Sequence, residues 1–306
     1  MTHQRKRILL VSNTGQVGAE LWRSLQSLGD VITVDRDHPT YPVDLADHSQ
    51  LRHAVRDVAP DIIVNAAAYT AVDNAEQDEA LAMAINGTAP GILAEEAKAL
   101  DALLVHYSTD YVYNGKHVDK PYVETDFCDP RSVYGKTKLA GDEAIQGIGC
   151  KHLIFRTSWV YGRYGNNFLL TMLRLGQERS ELSIVADQIG APTWSRLISD
   201  ATTQVLVQLQ SALCPHSIED LSGIYHLTCG GQTSWCDFAK AIVSHLPNPP
   251  SVFPIRTEEY PAPAPRPAYS VLSNDKLAET FGVRLPDWDV ALDVCLSREQ
   301  AKSIFR

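Results

Sequence analysis

The segment ILLVSNTGQVG, residues 8–18, decides the fold. Its first four residues form a short apolar run typical of a buried strand, and the polar turn that follows leads into an amphipathic stretch. Gly15 and Gly18 stand in that turn, where glycines let the backbone approach a pyrophosphate at a helix N-terminus. A lone GxxG spacing also occurs in ordinary turns. Whether this turn binds a pyrophosphate must therefore be decided from the segments around it.

The alternation of apolar runs and amphipathic stretches continues beyond this turn. Runs rich in Val, Ile and Leu are predicted strands at Ile8–Val11, Val31–Val34, Asp61–Asn65, Leu103–Tyr107 and Leu153–Arg156. Helical stretches between them are Gly18–Leu28, Ser49–Val58 and Ala89–Leu100. This order predicts an α/β fold with a Rossmann-type, doubly wound parallel sheet that carries helices on both faces.

The second half of the chain is less regular. Further helices are predicted at Asn166–Glu178, Ser195–Leu213 and Ser234–Ser244, and further strands at Leu182–Val185 and Gly223–Leu227. Eight prolines between residues 246 and 267 make that stretch extended or turning. We therefore predict a dinucleotide-binding domain at 1–160 with returning segments near 190–230. A smaller, discontinuous substrate-binding lobe would occupy mainly 161–306.

Amino-acid composition disfavours several classes of partner, among them nucleic acids and membranes. The chain has 306 residues, with 37 acidic against 27 basic side chains and a formal charge of −10, which disfavours a nucleic-acid surface. Its six cysteines contain no CxxC pair, so neither a zinc site nor a disulfide framework is indicated. No apolar run reaches the length of a signal peptide or a membrane span. We expect a cytoplasmic protein with no membrane partner.

The end of the second predicted strand supports a dinucleotide site. Asp35 lies 20 residues beyond Gly15, where a carboxylate hydrogen-bonds the adenosine ribose and repels a 2′-phosphate. The adjacent Arg36 offers a partner to that phosphate. The predicted cofactor is therefore NADH or NADPH.

Tyr134 and Lys138 form the strongest local signal. They are four residues apart, so on a helix they share one face, and a nearby ammonium favours the phenolate form of a tyrosine. Thr109 follows a buried apolar strand some 25 residues earlier, where its hydroxyl can polarise a substrate carbonyl. Together the three residues predict a Thr–Tyr–Lys catalytic set.

Nine longer segments, spread nearly from end to end, add a further signal. They are TGQVGAEL at 14–21, DIIVNAAAYTAVDNAE at 61–76, VHYSTDYVY at 105–113, VYGKTKLAGDEA at 133–144, HLIFRTSWVYG at 152–162, NNFLLTMLRL at 166–175, DQIGAPT at 187–193, GIYHLTCGG at 223–231 and RPAYSVL at 266–272. Through these segments the chain resembles the dTDP-4-dehydrorhamnose reductases, a family of extended short-chain dehydrogenases/reductases.

This resemblance implies roles for individual positions. The implied cofactor-binding residues are Gly15, Gln16, Val17, Asp35, Asp44, Leu45, Ala68, Tyr69, Thr70, Tyr107, Tyr134 and Lys138. The implied substrate-binding residues are Thr109, Asp110, Trp159 and Arg266, with the arginine as our candidate for the nucleotide diphosphate. Catalysis would fall to Tyr134 as proton donor, helped by Lys138 and Thr109.

The implied reaction is reduction of the 4-keto group of dTDP-4-dehydro-6-deoxy-L-mannose, with NADH or NADPH as the reductant and dTDP-L-rhamnose as the product. A dTDP-linked deoxysugar would thus be the partner, and a homodimer is the expected assembly. The choice between dTDP and UDP stays open at this point.

Two positions depart from the family pattern. Ser12 replaces the first glycine of the turn, and we expect it at negative φ, as the last residue of the first strand. Some family members bind magnesium through acidic side chains at a dimer interface. Glu20 matches one of these, but Arg196 stands where a glutamate is expected. Because an arginine repels a cation, we predict no metal site.

Three other functions are compatible with parts of this pattern. One is an epimerase or dehydratase of nucleotide sugars. Another is a non-catalytic, reductase-like regulatory subunit of the methionine adenosyltransferase type. The third is a nucleotide-binding scaffold that binds NADH without turnover. The family-specific segments quoted above argue against the first, and the Thr109–Tyr134–Lys138 set together with Trp159 favours catalysis over the other two.

Overall fold

The computed structural model describes residues 5–116, 120–211 and 216–297. Cys214 and the predicted helix end at 212–213 lie outside these ranges. The strands within them are β1 Lys6–Val11, β2 Gly29–Val34, β3 Ile62–Asn65, β4 Leu103–Thr109, β5 His152–Thr157, β6 Val160–Tyr161, β7 Glu181–Val185, β8 Ile189–Gly190, β9 Thr193–Trp194, β10 Gly223–His226, β11 Thr233–Ser234 and β12 Ser251–Ile255.

A helix overlaps each helical stretch that the sequence predicts, although the ends differ by a few residues. Within the same ranges they are α1 Gln16–Leu25, α2 His48–Val58, α3 Val72–Ala75, α4 Glu79–Met83, α5 Ala89–Ala99, α6 Val133–Ile148, α7 Phe168–Glu178, α8 Ser195–Gln210, α9 Ile218–Leu221, α10 Trp235–Val243, α11 Asp275–Phe281 and α12 Trp288–Leu296. A π-helical turn, Ala84–Thr88, joins α4 to α5. Among the described residues, no helix combines the length and the apolarity that crossing a membrane requires.

The central sheet has the predicted parallel architecture. Its order within the described chain is β10-β5-β4-β3-β1-β2, and every neighbouring pair is parallel. The chain moves outward from β1 to β2 and then crosses to β3 on the other side of β1. Such a reversal opens a crevice beyond the carboxyl ends of the strands, where ligands bind in open α/β sheets.

Alternating side chains of β1 explain why helices cover both faces. Ile8 and Leu10 pack into one hydrophobic core with residues of α1, α8 and α11, whereas Leu9 and Val11 pack into another with residues of α2, α5 and α6. All four side chains are almost fully buried. A strand that is buried on both faces reads as a continuous apolar run, which is why residues 8–11 identified it. The predicted α/β, doubly wound fold is confirmed.

A third hydrophobic core lies in the second half of the chain. Leu173 of α7, Phe238 of α10 and Leu292 of α12 pack there around Trp194. In the proline-rich stretch, β12 pairs in parallel with β7. Meanwhile β10 returns to the edge of the main sheet beside β5. The division into a domain at 1–160 and a lobe at 161–306 stays a prediction.

Candidate active site

A cleft of about 590 Å³ lies at the carboxyl ends of β1 to β4. Eleven of the twelve predicted cofactor residues line it, namely Gly15, Gln16, Val17, Asp35, Asp44, Leu45, Ala68, Thr70, Tyr107, Tyr134 and Lys138. The twelfth, Tyr69, is not among the lining residues: its hydroxyl donates to Asp78 at 2.7 Å. The topology therefore brings the glycine turn and the Tyr–Lys pair to one cleft, although they lie far apart in the sequence.

Ser12 adopts the left-handed backbone conformation, with a φ of +66°. Our expectation of a negative φ at Ser12 was wrong. Its amide continues the strand by donating to the Val34 carbonyl at 2.8 Å, and its own carbonyl then turns against α1, where a Cβ on Gly18 would lie 1.9 Å from that oxygen. A non-glycine residue in this conformation costs about 1–2 kcal/mol. Gly18 therefore serves the packing of strand against helix, while Gly15 faces the cleft.

The start of α1 fits an anionic ligand. Gly15 is the N-cap residue, and a Cβ built on it would meet no atom of the described residues within 4 Å. The first turn of α1 carries no acidic side chain, so the positive end of the helix dipole is not neutralised there. The side-chain oxygen of Gln16 is buried and has no hydrogen-bond partner among the described residues. These features fit the pyrophosphate of a dinucleotide.

The rim of the cleft at β2 carries the residues predicted to select the cofactor. Asp35 follows β2 and lines the cleft together with Arg36 and Asp44. The Arg36 guanidinium is largely exposed and lies 3.5 Å from the Asp44 carboxylate. Arg36 is thus tethered through an exposed ion pair, which is weak in water, and can turn toward an incoming phosphate.

Helix α6 holds the Tyr–Lys pair. The hydroxyl of Ser132, its N-cap residue, accepts a hydrogen bond from the Gly135 amide at 3.1 Å, which begins the helix one residue before Tyr134. Burial raises the pKa of Tyr134 to about 12, and hydrogen bonding with the Thr109 side chain partly offsets this. The phenol is therefore protonated near neutral pH, as a proton donor must be.

Lys138 is almost completely buried, and its ammonium group is bound to β4. Nζ donates to the Tyr107 carbonyl at 2.6 Å and lies 3.2 Å from Nε2 of His106. Burial lowers the pKa of Lys138 to about 8, whereas the charge of Asp142 raises it. This lysine exchanges its proton much closer to neutral pH than an exposed lysine does.

Thr109 and Asp110 follow β4 directly and are both buried. The Thr109 hydroxyl donates to the Asp110 carboxylate at 3.0 Å and accepts from the Tyr111 amide at 3.2 Å. Burial raises the pKa of Asp110 to about 6. Neither residue is among those that line the cofactor cleft, and their roles toward the substrate stay predictions.

Trp159 stacks on Trp235, with ring centroids 3.5 Å apart and ring planes 6° apart. Its φ is +45°, an unusual value for a bulky residue, and a Cβ on Gly190 would lie 2.5 Å from its indole ring. The indole is therefore fixed from two sides. Trp159 itself is not among the residues that line the cofactor cleft, although its neighbour Val160 is, and its role toward the sugar stays a prediction.

Arg266 forms a bidentate ion pair with Asp73. Its two terminal nitrogens lie 3.0 and 2.8 Å from the two carboxylate oxygens, and one of them also donates to the Ala264 carbonyl at 3.0 Å. The arginine lowers the pKa of Asp73 through these hydrogen bonds. Sequence reasoning missed Asp73, which lies 193 residues from its partner. The same reasoning missed Asn65 and the role of His106, although Asn65 ends β3 and His106 lies within β4, and a polar side chain in a buried strand is a signal.

The two positions considered for a metal are joined to each other. Nε of Arg196 lies 3.2 Å from the Glu20 carboxylate, and Nε of Arg23 lies 3.1 Å from the same oxygen. In the part of the chain that the structure describes, no group of three metal-ligating side chains occurs. The prediction that no metal binds here stays a prediction.

Comparison with known proteins gives one consistent family. A family model described as the RmlD substrate binding domain matches residues 6–301. A dTDP-4-dehydrorhamnose reductase of Burkholderia thailandensis is 48% identical over 298 residues, which cover 95% of this chain and 98% of the relative. The reductase of Escherichia coli K12 is 45% identical, over 93% of this chain and 95% of its own length.

Solved structures agree with the sequence comparison. The dTDP-4-dehydrorhamnose reductase of Bacillus anthracis, solved in complex with NADP, superposes with a TM-score of 0.87 at 35% identity, and the match covers 96% of this chain and 99% of that one. A UDP-glucose 4-epimerase of Thermus thermophilus matches with a TM-score of 0.76 at 20% identity, which shows a shared fold alone. Because both the family model and relatives that are nearly half identical span almost the whole chain, this protein belongs to the dTDP-4-dehydrorhamnose reductase family.

Proposed function

We propose that this chain reduces the 4-keto group of dTDP-4-dehydro-6-deoxy-L-mannose to give dTDP-L-rhamnose. The observation that carries the proposal is the meeting of Tyr134 and Lys138 with the Gly15 turn and Asp35 in one cleft. A proton donor and a dinucleotide site must lie together for hydride and proton to reach the same carbonyl. The named relatives, which are dTDP-4-dehydrorhamnose reductases, favour this substrate.

NADH or NADPH is the proposed cofactor. Gly15 at the start of α1 would receive the pyrophosphate, and Asp35 would hold the adenosine ribose. The relative from Bacillus anthracis was solved with NADP, and Arg36 beside Asp35 offers this chain a cation for the additional phosphate. When bound, the reduced nicotinamide supplies the hydride.

The residues of the chain supply the proton and stabilise the charges that form. Tyr134, which is protonated at neutral pH, donates to the oxygen of the reduced carbonyl. Thr109 supports the same oxygen through its hydroxyl, and Lys138 stabilises the phenolate that remains. Since both residues are buried, these interactions act with little screening by water.

Substrate binding is assigned to residues beyond the cofactor cleft. Asp110 would bind hydroxyl groups of the sugar, and Trp159 would pack against its ring. Arg266 would bind the diphosphate of the nucleotide, for which it must exchange at least part of its ion pair with Asp73. Binding of the nucleotide at a distance from the carbonyl helps to position the reacting atoms.

We further propose that the chain acts in the cytoplasm as a homodimer. The basis for the compartment is that the six cysteines are scattered and contain no CxxC pair, which suits reduced thiols in a reducing environment. A measurement of molar mass in solution tests the assembly.

The test is a spectrophotometric assay with both cofactors. NADH or NADPH absorbance should fall when dTDP-4-dehydro-6-deoxy-L-mannose is added, and a UDP-linked analogue should be reduced more slowly. The product should be identified as dTDP-L-rhamnose by NMR, which separates a reductase from an epimerase or dehydratase. Tight NADH binding without turnover would instead indicate a regulatory subunit or a scaffold.

A further inference from the structure

A buried row of three polar side chains runs beneath the cleft. It connects Asn65 at the end of β3, His106 in β4 and Lys138 in α6, each no more than 1% exposed. Nδ2 of Asn65 lies 3.0 Å from Nδ1 of His106, and Nε2 of His106 lies 3.2 Å from Nζ of Lys138. In such a row the position of each proton limits the positions of the others.

The orientation of Asn65 follows from its second contact. Its Oδ1 accepts a hydrogen bond from the Ala67 amide at 3.2 Å, so the NH₂ group points toward His106 and donates to Nδ1. A neutral imidazole has one nitrogen that accepts and one that donates. Because Nδ1 accepts, the ring proton lies on Nε2, which faces Lys138.

This tautomer discriminates between the two forms of the lysine. An N–H group directed at Nζ repels an ammonium, whereas it can donate to the lone pair of a neutral amine. The bond from Nζ to the Tyr107 carbonyl is available to both forms. Burial, followed by the charge of Lys138, holds the pKa of His106 well below its usual value, so the imidazole stays neutral.

We propose that His106, with its ring proton held on Nε2 by Asn65, is a positioning residue that weakens the proton affinity of Lys138. The proposal rests on the proposed function, in which the charge of Lys138 stabilises the phenolate of Tyr134. His106 itself touches neither the substrate nor the cofactor in this scheme, since it lies behind the lysine. It acts by setting the pH at which the lysine loses its charge.

Besides His106, the elements around Lys138 carry further ionisable side chains. They are Tyr107 in β4, Asp110 after it, Tyr134 and Asp142 on α6, and Arg156 on β5. Asp142 favours the ammonium, but its carboxylate also binds Nε of Arg156 at 3.1 Å and the Ser108 hydroxyl at 2.9 Å. Because the attraction of Asp142 is shared in this way, a dipole in direct contact with Nζ can alter the proton affinity of the lysine.

The first test needs no substitution in the row. In the full chain labelled with nitrogen-15 at histidine, the resonances of His106 should show a protonated Nε2 and an unprotonated Nδ1 at neutral pH. His106→Gln assigns them, because they alone disappear. A proton on Nδ1, or a doubly protonated ring, would overturn the proposal whatever the variants do.

The second test reverses the tautomer. Asn65→Asp keeps an oxygen for the Ala67 amide but places an acceptor against Nδ1, which moves the ring proton to Nδ1 and turns a lone pair toward Lys138. The pKa of Lys138, followed by carbon-13 NMR of labelled lysine, should then rise by about one unit or more, a tenfold gain in proton affinity. The alkaline limb of the kcat/KM profile should shift in the same direction.

The matched control for the added charge is Asn86→Asp. Asn86 is equally buried, and its side-chain amide donates to Thr137, the residue before Lys138, and to the Tyr69 carbonyl. This variant should leave the proton of His106 on Nε2 and should raise the pKa of Lys138 less than Asn65→Asp does. An equal shift in both variants would show that charge alone acts, and would overturn the proposal.

These NMR measurements test the role of His106 separately from the proposed function. They use the protein without substrate, so a failed turnover assay beside the expected tautomer and titrations would refute only the proposed function. Normal turnover beside a Lys138 that does not respond to Asn65→Asp would refute only the role of His106. Thermal unfolding of each variant verifies that it is folded. If a variant does not fold, the tautomer of His106 in the wild-type protein still tests the proposal.

Discussion

The carbonyl oxygen of Ser12 lies 1.9 Å from the point that a Cβ on Gly18 would occupy. Since the obstacle is backbone, β1 or α1 must shift to accommodate any side chain there. We expect Gly18→Ala to lower the free energy of unfolding by at least about 2 kcal/mol. Urea unfolding followed by circular dichroism measures this change.

Gly15→Ala is the matched control, because its Cβ would meet no atom within 4 Å in the protein without cofactor. Its φ of −77° suits alanine, so the loss of stability should stay below about 1 kcal/mol. Cofactor affinity should nevertheless fall at least about tenfold, since the methyl group would enter the proposed pyrophosphate site. Unchanged affinity would place the pyrophosphate elsewhere.

Ser12→Gly should stabilise the protein. The φ of +66° is natural for glycine and strained for serine, and relief of that strain should add about 1–2 kcal/mol to the free energy of unfolding. Cofactor affinity and the chemical step should change little, because the backbone already has the conformation that glycine would adopt. A midpoint of urea unfolding at or below that of wild type would contradict this prediction.

The sequence predicted what depends on local spacing. The apolar run at 8–11 identified β1, and the four-residue separation of Tyr134 and Lys138 placed both on one face of α6. The φ of Ser12 was missed because it is imposed by the contact of β1 with α1, which serine propensities do not reveal. The ion pair of Arg266 with Asp73 joins residues 193 positions apart, so it cannot be predicted from a local sequence pattern.

Tyr134→Phe should retain cofactor binding and lose turnover. Only the phenolic proton is removed, and a positioned general acid is worth about 10²–10⁴-fold in rate. Lys138→Ala should reduce both cofactor affinity and rate, because Lys138 lines the cofactor cleft as well. Steady-state kinetics with fluorescence titration of NADH measure both quantities. A Phe variant within threefold of wild-type kcat would end the assignment of Tyr134 as proton donor.

Arg36→Ala should weaken NADPH binding selectively. Arg36 is largely exposed and paired with the part-exposed Asp44, so it can turn toward a 2′-phosphate without breaking a buried interaction. NADH lacks that phosphate and should bind as before. The ratio of the two Kd values, measured for wild type and variant in the same buffer, isolates the effect. An equal loss for both cofactors would show that Arg36 does not recognise the phosphate.

The depressed pKa of Lys138 predicts how stability depends on pH. Burial lowers it from 10.5 to about 8 in the folded protein, so between these values the unfolded chain binds a proton that the folded chain lacks. The contribution of Lys138 to the free energy of unfolding therefore rises with pH between these two values, by up to about 1.4 kcal/mol per pH unit.

Lys138→Met isolates this contribution, because the other titrating groups, including the buried tyrosines, remain in both proteins. The free energy of unfolding of wild type minus that of the variant should be flat below about pH 7 and should increase steadily from pH 8 to pH 10. Urea unfolding at four pH values in this range measures it. A difference that stays constant, or that falls as pH rises, would mean that the folded protein keeps Lys138 protonated, in conflict with its burial against His106.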